Sequence, residues 1–164
     1  MKKKLLAMLL MAALSVSMVA CGNAGTENSG SGDNHQKEFS AEELAQSLAT
    51  DITYTGKMEQ LPEDEVEWYI DLEEGVTGIV YEVAGVSCEQ VAIFKVPNDD
   101  AANIVIASLE ELLADQKQQN AAYDAKVASR IENAVLEHKG DYVILCVSDD
   151  SAKAKKIIKE AFGE

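Results

Sequence analysis

The chain is poor in the residues that do chemistry and poor in positive charge. It has 2 histidines, 3 cysteines, 2 prolines and a single tryptophan, and aromatic rings make up 5% of it. His35 falls in a polar segment, which leaves His138 as the one histidine of any folded part. One histidine without a helical His-Glu-x-x-His pattern does not supply the three or four ligands of a zinc site. No Cys-x-x-Cys pair is present, which argues against a dithiol redox site. Gly75-Val-Thr-Gly78 has neither the lysine nor the spacing of a phosphate-cradling loop. Lys and Arg number 14 against 29 Asp and Glu, a formal charge of −15, and such a chain repels nucleic acid backbones and anionic headgroups. No apolar run reaches the roughly 20 residues needed to span a bilayer. No cofactor and no metal are expected.

What is present begins at the N-terminus. Lys2, Lys3 and Lys4 precede an apolar run from Leu5 to Val19, and Met18-Val19-Ala20-Cys21 closes it. A basic start, a short apolar stretch and small residues before a cut form a secretory signal. A cysteine directly after that cut resembles a bacterial lipobox, which implies that the Cys21 thiol receives a diacylglycerol and that fatty acyl chains such as palmitate anchor the mature protein. Residues 1–20 are then a lipoprotein signal peptide. Losing its three lysines takes the formal charge from −15 to −18. Residues 21–38, the lipidated Cys21 and a Gly-, Ser- and Asn-rich stretch that includes His35, read as a flexible tether with a span of about 20–25 Å.

Residues 39–164 hold roughly 125 residues, enough for one domain with one core. Ser40-Ala-Glu-Glu43 has the form of a capping box opening a helix over 41–50. Residues 58–74 are acidic and poorly periodic. Pro62 followed by Glu-Asp-Glu suits the start of a short helix near 63–70. Branched and aromatic residues predict strands over 78–84 and 89–96. Asn98 or Asp99 caps a long amphipathic helix over 99–120, with Ala101, Val105, Leu109, Leu112 and Leu113 on one face. A helix over 123–132, with Tyr123, Val127 and Ile131, leads to a hairpin of 134–138 and 141–147 that turns at Gly140. A last helix starts at Asp149, Asp150 or Ser151. The expected fold is α+β: one domain, with an antiparallel four-stranded sheet made of two hairpins and helices packed on one face.

The run Glu89-Gln-Val-Ala-Ile-Phe-Lys-Val-Pro, the long helix followed by Tyr123, Ala134-Val, and Gly140-Asp-Tyr-Val-Ile-Leu-Cys-Val-Ser-Asp-Asp resemble a family of small Gram-positive lipoproteins known only as a domain of unknown function. The resemblance spans about residues 41–160. It implies a fold and a location at the membrane, and no catalytic residues. The family pattern places an arginine midway along the long helix, where this chain has Ala114-Asp115-Gln116-Lys117.

Candidate sites are few. Cys88 and Cys146 lie in or beside β-like runs and read as buried, reduced core residues. Asp99-Asp100 and Asp149-Asp150 read as helix caps. The acidic stretch lacks the spacing of an ordered calcium loop and reads as a solvated face. Trp68, Tyr69, Tyr81 and Tyr54 stand among acids, a combination that suits sugars or cationic groups. Trp68 is nonetheless expected to plug the core of so small a domain, which leaves Trp68, Tyr69 and Tyr81 as weak ligand-binding candidates. The expectation is a non-enzymatic binding or interaction module on the extracytoplasmic face of the cell membrane, held through Cys21. It would meet an envelope protein or cationic ligand and no nucleic acid. The alternative is an envelope enzyme or enzyme subunit acting on polymers through surface carboxylates. A two-lobed solute-binding protein would need more chain than this. Replacing Cys21 (Cys21→Ala) is expected to abolish labelling by an alkyne-tagged fatty acid in cells. Equal labelling of the variant would refute the lipid anchor.

Overall fold

The computed structural model describes residues 39–70, 72–85, 87–120 and 125–164. The signal, Cys21, His35, the tether and Tyr123 lie outside the described residues. A helix α1 (Ala41–Asp51) is capped by the Ser40 hydroxyl, which accepts from the Glu43 amide at 3.3 Å. A strand β1 (Met58–Gln60) and a short helix α2 (Glu63–Val66) follow, then strands β2 (Thr77–Val83) and β3 (Gln90–Lys95). The long helix α3 (Asp99–Asn120) starts where the Asn98 side chain accepts from the Ala101 amide at 2.9 Å. Helix α4 (Ala125–Glu132), strands β4 (Val135–Lys139) and β5 (Tyr142–Val147), and helix α5 (Ser151–Ala161) complete the chain. Asp150 caps α5 by accepting from the Lys153 amide at 2.9 Å.

The strands form one antiparallel sheet in the order β1-β2-β3-β5-β4. Both expected hairpins are present, β2–β3 and β4–β5, and β3 joins them by pairing with β5. The sheet has five strands rather than the expected four. The extra one, β1, consists of Met58, Glu59 and Gln60. Three residues are too few for any alternation to register in a sequence, and the exposed edge of β2 is what orders them. Helix α2 is shorter than the expected 63–70. It gives way to turns in which the Trp68 and Tyr69 amides donate to the Glu65 and Val66 carbonyls.

The helices cover both faces of the sheet, which corrects the expectation of one. On the first face α2, α3 and α4 pack Val66, Val105, Leu109 and Ile131 against Val80, Ala92, Phe94, Val143 and Leu145. On the second, α1 and α5 pack Leu44, Leu48, Ala154 and Ile158 against Val91, Ile93, Ile144 and Cys146. Successive strand residues point to opposite faces, and β3 and β5 are apolar at consecutive positions, Val91–Phe94 and Val143–Val147. A strand apolar on both sides needs cover on both sides. The same alternation separates the cysteines. Cys88 belongs to the first core and Cys146 to the second, and both are buried free thiols.

The second face is closed at one end of the sheet by a clasp of both ends of the described chain. The Phe39 ring lies 4.6 Å from that of Tyr142 and 4.4 Å from that of Phe162. Lys139 reaches Glu164 at 2.7 Å. On the first face Gly78 lets Phe94 and Val66 pack directly on the strand backbone, since a Cβ there would lie 2.5 Å from Phe94 Cε1 and 3.0 Å from Val66 Cγ1. Alanine at a strand glycine gains about 0.4–1 kcal/mol from the unfolded state, less than the about 1–3 kcal/mol that overpacking costs. Gly78→Ala is therefore expected to lower stability by about 1–2 kcal/mol. Urea unfolding reads this as a lower midpoint with an unchanged slope. An unchanged or raised midpoint would show that Phe94 gives way freely.

Candidate functional site

Two places in the fold gather polar side chains, and they differ in access to solvent. The first is a cavity of about 580 Å³ between α2 and the start of β2. Pro62 ends the extended run from β1, and the acids of α2 sit in its first turn, where the positive helix end favours them. Val66 turns inward and is buried against Gly78. Tyr69 also turns inward. Its ring stacks on Phe94 with centroids 6.3 Å apart, and its hydroxyl donates to Gln90 Oε1 at 2.7 Å. Burial, and then the negative charge of Glu82, push its phenol well above the usual range, so it stays neutral. With Val66 and Tyr69 fixed inward, Trp68 between them is thrown outward and is 87% exposed.

Trp68 lines the cavity with Glu63, Glu67, Glu73 and Glu74, while Val66, Leu72 and Val76 form its apolar part. All four glutamates are exposed. Gly75, at φ +86°, makes the reversal that brings Glu73 and Glu74 back toward β2. The expectation that Trp68 fills the core is overturned. Tyr69 takes the inward position in the turn that follows α2, and Trp68, one residue earlier, points the other way.

The other aromatic candidates are not part of this cavity. Tyr81 packs on the second face and donates to Gln60 Oε1 at 3.0 Å. Tyr54 also lies on the second face, where its hydroxyl donates to the Leu48 carbonyl at 2.9 Å and meets Cys146 Sγ at 3.7 Å. Trp68 and Tyr69 are thus neighbours in sequence with opposite roles, and Tyr81 is separated from both by the sheet.

The second polar cluster is buried at Glu89 and Arg130 and open to solvent at Asp149. Glu89, whose side chain is fully buried, accepts from the Thr55 amide at 3.1 Å, from the Thr55 hydroxyl and from the Ser87 hydroxyl at 3.2 Å. Arg130 on α4 stands 3.8 Å from Glu89 and forms a two-pronged pair with Asp149, at 2.6 and 2.8 Å. That pair holds the Asp149 carboxyl below its usual range and raises Arg130 further. Asp149 is therefore an ion-pair partner and not the expected cap, which is Asp150 alone. Cys88 adjoins this cluster, but burial pushes its thiol up despite Arg130, so it is no activated nucleophile. No motif marks this cluster in the sequence. The one available signal is that Arg130 is the only arginine of the chain, and a rigid bidentate fork is what arginine offers over lysine.

His138 stands exposed on β4. Among the described residues no three or more His, Cys, Asp or Glu side chains are placed to hold a metal ion, and no helix is long and apolar enough to cross a membrane. The open cavity around Trp68 is the candidate site, and the cluster around buried Arg130 and Glu89 ties the loop after α1, the start of β3, α4 and the end of β5 together.

A family model described as Domain of unknown function (DUF4358) matches residues 51–148, from the last residue of α1 past the end of β5. No curated protein and no solved structure shows significant similarity to the chain.

Removing one partner of a buried pair leaves the other charge uncompensated, at roughly 3 kcal/mol. Arg130→Met is expected to destabilise the fold by about that amount in urea, and adding Glu89→Gln is expected to recover part of it. A double variant no more stable than the single one would show that packing, and not the buried charge of Glu89, sets the loss. Because Asp149 has a depressed pKa, its contribution is present above the ordinary carboxylate value of about 3.9 and is lost as pH falls below it. Asp149→Asn should flatten only that acid limb.

Proposed function

The chain belongs to this family of unknown function, and we propose that it is a membrane-anchored extracytoplasmic lipoprotein acting as a non-enzymatic binding module through the Trp68 cavity. The observation that carries the reading is Trp68 itself. A tryptophan brings one of the largest apolar surfaces of any side chain, on the order of 150–250 Å², and here it is 87% exposed at the mouth of a cavity. Exposed aromatic anchors beside pockets are where interaction energy concentrates. The lipobox-like Cys21 and the polar stretch to residue 38 supply the anchor and the reach.

An enzyme acting on envelope polymers through carboxylates is less well supported. A carboxyl group works as a general acid when an apolar setting keeps it protonated. The four cavity glutamates are exposed to water, which is the opposite setting. They suit the recognition of charge.

A photocrosslinking amino acid tests the module reading in cells. Placed at position 68 (Trp68→benzoylphenylalanine), it is expected to give a defined adduct that diminishes when Cys21→Ala removes the anchor. The same group at the exposed position 155 on α5 (Lys155→benzoylphenylalanine) should give none. Adducts no more abundant at 68 than at 155 would overturn the reading.

A further inference from the structure

Trp68 and the glutamates around it share an electrostatic demand that the described residues leave unmet. The face of an indole ring carries the negative side of its quadrupole and attracts cations. Glu63, Glu67, Glu73 and Glu74 line the same cavity. Among the described residues none of these four glutamates takes part in an ion pair, and the cation that lies over a ring is Lys139 above Phe162, on the second face. From Met58 to Phe94 the sequence has no lysine, arginine or histidine. Lys57, just before this stretch, is engaged with Glu59 at 3.2 Å. The cavity is therefore negative, carries an exposed π face, and receives no cation from its own segment.

Its floor asks for something different. Val66, Leu72 and Val76 are apolar, and Val66 and Val76 are buried. A free polyamine, charged every few carbons, would set ammonium groups against that floor, where losing water is costly. A peptide separates the two demands, since an aliphatic side chain can enter while its basic neighbour stays at the rim. The volume of about 580 Å³ falls within the roughly 300–1,000 Å³ of ligand-holding pockets, and it accommodates more than one side chain.

We propose that the cavity receives a basic peptide segment of a partner protein. An aliphatic side chain packs on Val66, Leu72 and Val76, while the adjacent lysine or arginine lies over Trp68 among the glutamates. This inference rests on the reading of the cavity as the binding surface, and it adds the chemistry of the occupant.

Trp68 is the only tryptophan of the whole chain, so its fluorescence reports on this cavity alone. The full chain in detergent, at fixed physiological ionic strength, would be titrated with an acetylated Leu-Arg-Leu-Lys amide, its Leu-Glu-Leu-Glu counterpart, an uncharged Leu-Ser-Leu-Ser peptide and spermidine. The expected result is a saturable change with the basic peptide alone. Exposed ion pairs are individually weak, so the Glu67→Gln/Glu73→Gln variant should bind it about tenfold less tightly while its circular dichroism spectrum stays unchanged. Equal binding of spermidine would overturn the peptide assignment. Equal binding of the uncharged or acidic peptide would overturn the cationic class and leave the cavity reading standing. If no probe changes the Trp68 signal, the inference and the reading of the cavity as a binding surface both fall. The lipid anchor would be unaffected, because it is tested separately at Cys21.

Discussion

The pairing of β3 with β5 at the centre of the sheet is the constraint from which the rest of the fold follows. Val91–Phe94 and Val143–Val147 are apolar at consecutive positions and are all buried. Neither face of these two strands tolerates water, so each needs its own helical layer. Helices α3 and α4 with short α2 supply one, and α1 with α5 supplies the other. The hydrophobic gain from such burial is about 1.5–3 kcal/mol per large side chain, far above what any exposed ion pair of the surface contributes. Electrostatics adjusts this architecture without creating it.

Within that frame the two polar clusters stand at opposite ends of the sheet. The register places Thr77, Lys95, Tyr142 and Lys139 side by side at one end, and Glu82, Gln90 and Val147 at the other. The Trp68 cavity takes in Thr77 and Gly78 and so lies at the first end, where Phe39 also enters on the opposite face. The Glu89–Arg130–Asp149 cluster lies at the second end. Buried and fully hydrogen-bonded groups such as Glu89 fix a fold, whereas an exposed ring and unpaired acids around an open cavity are available to something else. Physical separation lets the one be rigid while the other stays accessible. The family match runs from residue 51 to 148, which includes both clusters and the whole sheet but leaves most of α1 and all of α5 outside.

Several features were plain in the residues. Ser40 acts as a cap, Gly140 turns the β4–β5 hairpin with φ +56°, and α3 has apolar residues at helical spacing from Ala101 to Leu113. The edge strand β1 was hidden because three residues carry no period. The second helical layer was foreshadowed in the unbroken apolar runs of β3 and β5, which are the mark of strands buried on both sides. Trp68 misled because size and apolarity argue for burial, and only the direction of the neighbouring Val66 and Tyr69 side chains excludes it from the core. The Arg130 cluster was invisible because its members are 41 and 19 residues apart in sequence and share no motif.

Composition and local pattern by themselves determined the charge of the molecule, its helices, its two hairpins and the turn residues between them. These are properties of neighbours in the chain, set by propensity, capping and periodicity over a few residues. Which face each helix covers, which of two adjacent aromatic rings is buried, and which carboxylate meets the single arginine were decided only by tertiary structure. Each of these is a contest between side chains for the same limited interior, and its outcome depends on partners brought close only when β3 pairs with β5.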